Sequence, residues 1–106
     1  MENNEQNKTI DPVSVMKRAI RVYGADNQID KALEECGELI TAISRCRTHR
    51  ADETDIITEV ADVWIMVTQL SFIYGTKAVN DEIDRKLRRL EARMDYLEDG
   101  GAKVSE

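Results

Sequence analysis

The sequence predicts an all-α protein, a bundle of four helices joined by short connections. Apolar residues recur at helical spacing in four successive segments, and no segment alternates convincingly between apolar and polar residues with the period of two that is typical of a strand. Gly24, Gly75 and the single proline, Pro12, stand between or at the ends of these segments, where they suit helix boundaries.

The first helix is predicted over residues 12–23. Residues 1–10 are polar and are expected to form a flexible N-terminal arm, after which Asp11 is a candidate N-cap and Pro12 suits the first helical turn. Gly24 is a plausible terminator. The apolar residues of this segment keep a helical spacing: Val15, Met16, Ala19, Ile20, Val22 and Tyr23.

The second helix is predicted to start near Asp26 or Asn27 and to continue to about Cys46. Its apolar residues fall along one face and give the clearest amphipathic pattern of the chain: Ile29, Ala32, Leu33, Cys36, Leu39, Ile40, Ile43 and Cys46.

The third and fourth helices are predicted after a polar loop over residues 47–51. Asp52 can cap a helix that reaches to about Tyr74, and Gly75 ends it. The fourth helix carries a narrow apolar seam of the kind that packs on another helix: Val79, Ile83, Leu87, Leu90, Met94 and Leu97.

The third helix differs from an ordinary bundle helix because it has almost no polar face. From residue 63 to residue 74 only Thr68, Gln69 and Ser71 are polar, and a helix that is apolar on all sides is expected to be buried on all sides. One chain of 106 residues cannot easily bury such a helix, so we expect a homodimer or homotetramer formed through the third and fourth helices. Trp64 is expected to lie in the core or in that interface.

Length, composition and charge limit the classes of function that are expected for this chain. A length of 106 residues with 42% hydrophobic residues suits one domain, predicted over residues 11–98, with a flexible tail over residues 99–106. A formal charge of −6 disfavours a nonspecific nucleic-acid binder. Because no apolar run reaches the roughly 18 residues of a membrane span and the N-terminus lacks the features of a signal peptide, we expect no membrane association and a cytoplasmic location.

Two acidic pairs are the candidate chemical site. Glu35 and Glu38 share a face of the second helix, and Glu59 and Asp62 share a face of the third. Helical rotation gives Asp62 apolar and amide neighbours on a helix expected to be buried, where an ionised carboxylate needs a cation. If the two helices pack antiparallel, the four carboxylates face each other, and such an oxygen-donor site suits Mg²⁺, with Mn²⁺ as a possible substitute.

These residues carry a family resemblance. The pattern Glu35-x-x-Glu38, 20 intervening residues, then Glu59-x-x-Asp62 resembles the signature of the MazG-like all-α nucleoside triphosphate pyrophosphohydrolases. The surrounding phrases KALEECGELITAI and EVADVWIMV strengthen the resemblance, which covers about residues 12–95.

The resemblance implies hydrolysis of a nucleoside triphosphate between its α and β phosphates, in nucleotide-pool sanitation. It implies Mg²⁺ bound by the four carboxylates named above, with a nucleoside monophosphate and pyrophosphate as products. Some members of the family use a carboxylate adjoining the first motif as the general base, and Glu34 occupies that position. Helical rotation directs Glu34 away from Glu35, so a solvated surface acid is the competing interpretation.

Candidate substrate contacts are basic or amide side chains near the predicted site. Lys31 lies one turn before Glu35 and is expected either to contact a phosphate or to pair with that carboxylate. Lys86 and Arg93 share one side of the fourth helix, where they could reach phosphates as basic residues of related enzymes do, or form ordinary surface ion pairs. Asn80 falls on the apolar seam and is a candidate contact for a base or sugar.

Two alternatives remain at the level of the sequence. Phosphoribosyl-ATP pyrophosphohydrolases resemble the chain in length and acidic motifs, but they usually carry a histidine soon after the second motif, where this sequence has Val63-Trp64-Ile65-Met66. The other alternative is a noncatalytic helical module that binds a metal or a partner. The sequence does not identify the preferred nucleotide.

Overall fold

The computed structural model describes residues 8–101, and in that range the chain forms four α-helices and no strand. The helices are α1 (Pro12–Tyr23), α2 (Ala25–Arg47), α3 (Glu53–Tyr74) and α4 (Thr76–Glu98). The prediction of an all-α chain with four helices is confirmed. Of the predicted arm and tail, residues 1–7 and 102–106 lie outside the described residues.

The helix boundaries follow the capping chemistry of the sequence closely. Asp52 caps α3 as predicted, because its Oδ1 accepts a hydrogen bond of 3.0 Å from the backbone N–H of Thr54. Asp11 stands at the N-cap of α1, but its side chain makes no capping hydrogen bond. Gly24 and Gly75 have φ angles of 91° and 118°, a conformation that side-chain-bearing residues rarely adopt, and this lets each helix follow its predecessor after one residue.

The chain divides into two compact units with the boundary between Ile73 and Tyr74. The first unit contains α1, α2 and nearly all of α3, and the second contains α4. Within the first unit α1 packs against α2, and the ammonium group of Lys17 lies 5.3 Å from the centre of the Phe72 ring, which links α1 to α3. The single domain predicted over residues 11–98 stays a prediction.

Helices α2 and α3 run antiparallel. Gln28, near the start of α2, donates a hydrogen bond of 2.7 Å from its Nε2 to Oε1 of Gln69, near the end of α3. Further along α2, Glu35 lies beside Asp62, which precedes Gln69 by two turns of α3. The antiparallel packing that the short connecting loop predicts is therefore present, and it brings the two acidic pairs together.

The single chain leaves most of α3 uncovered, and the burial of α3 on all sides in an assembly stays a prediction. Only Met66 and Gln69 of α3 are buried, whereas Trp64 is 56% exposed and Val60 is 50% exposed. The reason is geometric: α1 and α2 cover one stripe of α3 and leave the remainder of its apolar surface uncovered. Leu33 on α2 is likewise 76% exposed, and α4 has no buried residue among those described.

Helix α3 is also long and apolar enough to cross a membrane by length and composition. Core helices of soluble proteins share this length and apolar composition. Two of its acidic residues, Glu59 and Asp62, lie against the carboxylate of Glu35 on α2.

Candidate metal centre

The centre of the candidate site is the carboxylate of Glu35. Glu35 and Ala42 are buried, so the stripe of α2 that carries them is the stripe that packs inward. The Oε2 atom of Glu35 is buried and has no hydrogen-bond partner among the described residues. A buried carboxylate oxygen without a partner costs stability unless a cation compensates it.

Carboxylates from both helices surround Glu35 in two overlapping groups. One group is Glu35, Glu59 and Asp62, and the other is Glu34, Glu35 and Glu38; within each group the ligand oxygens lie within 4.8 Å of one another. The four predicted metal ligands therefore lie in one cluster, with Glu35 common to both groups. The carboxylate of Glu34 also lies in this cluster, although adjacent positions on a helix point in different directions.

The cluster carries more negative charge than its surroundings balance. The negative charge of Glu35 raises the pKa of Glu38, with burial and Glu34 contributing further. Burial raises the pKa of Glu59, and the charges of Glu38 and Asp62 add to that effect. The raised pKa values of both carboxyls indicate a site that favours binding a positive charge, either a proton or a metal ion.

Lys31 supplies the only cation that pairs with the cluster within the described chain. Its Nζ lies 2.9 Å from Oε1 of Glu34 and 3.3 Å from Oε1 of Glu35, and these two hydrogen bonds raise the pKa of Lys31. Lys31 is exposed on its other side, and its ammonium group contacts Oε1 of Glu35 and leaves Oε2 without a partner. One lysine is thus insufficient for five neighbouring carboxylates.

The donor set fits a divalent ion. Oxygen atoms bound to one Mg²⁺ at about 2.1 Å lie up to about 4.2 Å apart, so the separations of up to 4.8 Å within each group require only small side-chain rotations. The donors are hard carboxylate oxygens, the type that Mg²⁺ and Mn²⁺ prefer. The unpartnered Oε2 of Glu35 gives such an ion a buried ligand.

A buried pair of amide side chains, which was not predicted from the sequence, lies next to this cluster. Gln28 and Gln69 are 7% and 2% exposed and hydrogen-bonded to each other across α2 and α3. Gln28 precedes Glu35 by seven residues and Gln69 follows Asp62 by seven, so each amide lies on the same helix face as a carboxylate of the site. That seven-residue spacing is the signal by which the sequence could have indicated them.

A cavity of about 490 Å³ opens beside the amide pair. Tyr23, Asn27 and Gln28 line one part of it, and Lys31 and Glu34 line the part next to the carboxylates. The cavity thus joins a mixed apolar and amide surface to the charged site.

The predicted contacts on the fourth helix lie in the other unit. Asn80, Lys86 and Arg93 are all exposed on α4, in the second unit, whereas the carboxylate cluster belongs to the first. Arg93 lines a small cavity with Arg89 and other residues of α4 itself. Their roles in substrate binding stay predictions.

Together these features define a class: an all-α protein with a cluster of carboxylates between two antiparallel helices. The family model for the MazG nucleotide pyrophosphohydrolase domain matches residues 25–97, and the chain belongs to this family. The family is generally dependent on divalent metal ions. No curated protein and no solved structure matches the chain significantly.

The raised pKa values predict how metal-free protein responds to pH. Glu38 and Glu59 bind protons more tightly in the folded state than in the unfolded state, so their contribution to stability is fully present below the ordinary pKa of 4.5 and is lost as pH rises through the folded values. We expect the double variant Glu38→Gln/Glu59→Gln to lose this part of the fall in stability between pH 4.5 and pH 7, measured by urea unfolding in a chelator.

The matched control is Glu53→Gln/Glu91→Gln, which removes two exposed carboxylates outside the cluster and is expected to keep the parental pH dependence. Equal pH dependence in both double variants would contradict the electrostatic interpretation of the site.

Proposed function

We propose that the protein is a Mg²⁺-dependent nucleoside triphosphate pyrophosphohydrolase of the cytoplasm that acts in nucleotide-pool sanitation. It hydrolyses the anhydride bond between the α and β phosphates and releases a nucleoside monophosphate and pyrophosphate. The observation that carries the proposal is the buried, unpartnered Oε2 of Glu35 beside the carboxylates of Glu59 and Asp62. Membership of the MazG family supports the reaction class.

In this proposal Glu35, Glu38, Glu59 and Asp62 hold the metal. A bound divalent ion neutralises the charge that develops on the phosphate oxygens and orients the triphosphate for attack by water. The ligands come from the middle of two helices rather than from loops, so their positions are fixed by the packing of α2 on α3.

Glu34 is the candidate general base. Its side chain is 60% exposed, so water reaches it, and one of its oxygens lies within 4.8 Å of the ligand oxygens of Glu35 and Glu38. The ion pair with Lys31 holds this carboxylate in place. Water adds across the anhydride bond, the bond from phosphorus to the bridging oxygen breaks, and Glu34 accepts the proton of the attacking water.

The nucleoside end of the substrate is assigned to the cavity of about 490 Å³ beside the amide pair. The exposed Tyr23 offers an aromatic surface, and Asn27 and Gln28 offer amide groups for hydrogen bonds to a base or sugar. Lys31 lies between this cavity and the carboxylates, where its ammonium group suits a phosphate oxygen.

Removing single metal ligands tests the proposal. We expect Glu38→Gln and Asp62→Asn each to reduce turnover about 100-fold or more, because a neutral amide replaces a charged ligand oxygen. The measurement is pyrophosphate release from a panel of canonical and modified nucleoside triphosphates with Mg²⁺ or Mn²⁺, with helical content checked by circular dichroism.

Glu53→Gln is the control for these variants, because it removes an exposed carboxylate of α3 outside both groups. Near-normal activity of both ligand variants would contradict the site. A parent protein that turns over no nucleotide, while metal only raises its melting temperature, would support a noncatalytic metal-binding module instead.

We also propose that the chain forms a homodimer or homotetramer through the apolar surface of α3 and the seam of α4. Self-association is supported by the large apolar side chains that this surface exposes. Trp64, Ile65 and Val67 are 56%, 42% and 42% exposed in the single chain, and Leu87 on α4 is 58% exposed. Exposed apolar surface of this extent on one helix is typical of an interaction site.

Self-association is tested by placing a charge on this surface. We expect Trp64→Glu to weaken association, because the interface would bury an unpaired carboxylate. Light scattering coupled to size exclusion should give at least twice the 12.1 kDa mass of the chain for the parent and a smaller assembly for the variant. Ser14→Glu, an equal charge on α1, is the control, and a monomeric parent at micromolar concentration would contradict the proposal.

A further inference from the structure

The apolar seam of α4 is left uncovered by the described chain. No residue of α4 is buried, and the large side chains of the seam from Ile83 to Leu97 are between 46% and 60% exposed. A row of exposed apolar side chains along one helix is typical of a surface that packs on another helix. The seam therefore suits a helical partner.

The spacing of the seam is that of a coiled coil. After Ile83 the apolar residues follow at steps of four, three, four and three, and they are Leu87, Leu90, Met94 and Leu97. Most surface helices carry a wider apolar stripe, whereas strict alternation of these two steps gives the narrow seam of positions a and d in a heptad repeat. Leu87 and Met94 thus take a positions, and the other three residues take d positions.

The repeat reaches Asn80 when it is continued one step toward the start of α4. Asn80 precedes Ile83 by three residues and Leu87 by seven, so it takes an a position. Its side chain is exposed and makes no hydrogen bond with any described residue. A single asparagine at an a position specifies the register and the number of strands of a coiled coil, because it pairs with the asparagine at the same level of the facing helix.

The charges beside the seam are separated by sign. Lys86 and Arg93 take g positions, and Glu91 and Glu98 take e positions. In a parallel coiled coil a g residue faces the e residue that lies five positions further along the other helix, so Lys86 faces Glu91 and Arg93 faces Glu98 across two copies. In an antiparallel coiled coil g faces g and e faces e, which brings like charges together. The charge pattern therefore favours two parallel copies.

These four charged side chains are available for contacts with a second helix. Other charged residues of α4 pair one turn apart within the helix, and those pairs are Lys77–Asp81, Glu82–Arg85 and Asp84–Arg88. Lys86, Glu91, Arg93 and Glu98 make no ion pair with any residue in the described part of the chain. Contacts between two copies would therefore break no existing ion pair.

We propose that α4 forms a parallel, two-stranded coiled coil with α4 of a second copy of this chain. The Asn80 side chains of the two copies pair at its start, and the contacts of Lys86 with Glu91 and of Arg93 with Glu98 flank the seam. The inference rests on the proposed self-association, to which it gives an orientation and a register, and it is independent of the proposed reaction. Lys86 and Arg93 thereby serve the interface rather than the substrate.

Reversal of charge tests the orientation. In Glu91→Lys/Glu98→Lys, contacts between opposite charges become contacts between like charges, so the dissociation constant of self-association should rise about tenfold in dilute buffer and less in high salt. Adding Lys86→Glu/Arg93→Glu to that variant should restore the parental constant. In an antiparallel pair the added substitutions would only exchange one repulsion between g positions for another. The measurement is sedimentation velocity over a concentration series.

The matched control for charge reversal is Asp81→Lys/Asp95→Lys. Both residues are exposed on α4 at b positions, away from the seam, and the change in net charge is the same. We expect this variant to keep the parental dissociation constant.

Disulfide formation measures the register. In a Cys36→Ser/Cys46→Ser background, Leu97→Cys should form a disulfide between two copies on oxidation, because facing d positions of a parallel coiled coil lie close together. Ala92→Cys, on the opposite face of α4, is the matched control and should stay reduced. In an antiparallel overlap the two copies of residue 97 would lie roughly 25 Å apart. A disulfide that forms only between Leu97→Cys and Asn80→Cys would overturn the inference.

The outcomes separate this inference from the proposal on which it rests. A monomeric parent would contradict both the self-association and the coiled coil. A parent that associates, with no disulfide through Leu97→Cys and with equal dissociation constants for Glu91→Lys/Glu98→Lys and its control, would overturn the coiled coil and leave association through α3. The experiments use no nucleotide, so failure of the proposed reaction would leave the coiled coil intact.

Discussion

The buried carboxylate of Glu35 is the constraint on which the other features depend. It lies on the inward stripe of α2, where Ala32 and Ala42 fill the space before and after it. Its Oε2 has no partner in the described chain, and the acids of α3 face it rather than a base. A chain selected for stability alone would place an apolar side chain there, so the acid indicates a ligand that binds it.

The α2–α3 hairpin organises the site around this residue. Steps of seven residues along α2 lead from Gln28 to Glu35 and from Glu38 to Arg45, so amide, carboxylate and guanidinium groups follow one another along one side of the helix. Gln69 pairs with Gln28 and fixes the register of the two helices. The same register that brings the carboxylates together creates a cavity on each side of them.

Much of this arrangement could be predicted from local signals. The ends of α1, the capping of α3 by Asp52 and the sharing of a face by Glu35 and Glu38 depend on residues close in the chain. Which side chains of α3 are exposed in the single chain could not be predicted, because an apolar pattern does not specify whether the covering surface belongs to the same chain. Whether the Glu34 carboxylate lies near those of Glu35 and Glu38 depends on its rotamer and on its ion pair with Lys31. Whether the guanidinium group of Arg45 is paired depends on the residues that α3 places opposite it.

The central claim is that the buried Glu35 carboxylate is a metal ligand, and a comparison of melting temperatures with and without Mg²⁺ tests it most directly. Without metal, Glu35→Gln should melt above the parent protein, because the substitution removes a buried carboxylate that shares a single lysine with its acidic neighbours. With Mg²⁺ the parent should gain stability and the variant should not. A variant that melts below the parent without metal and still gains as much from Mg²⁺ would contradict the claim.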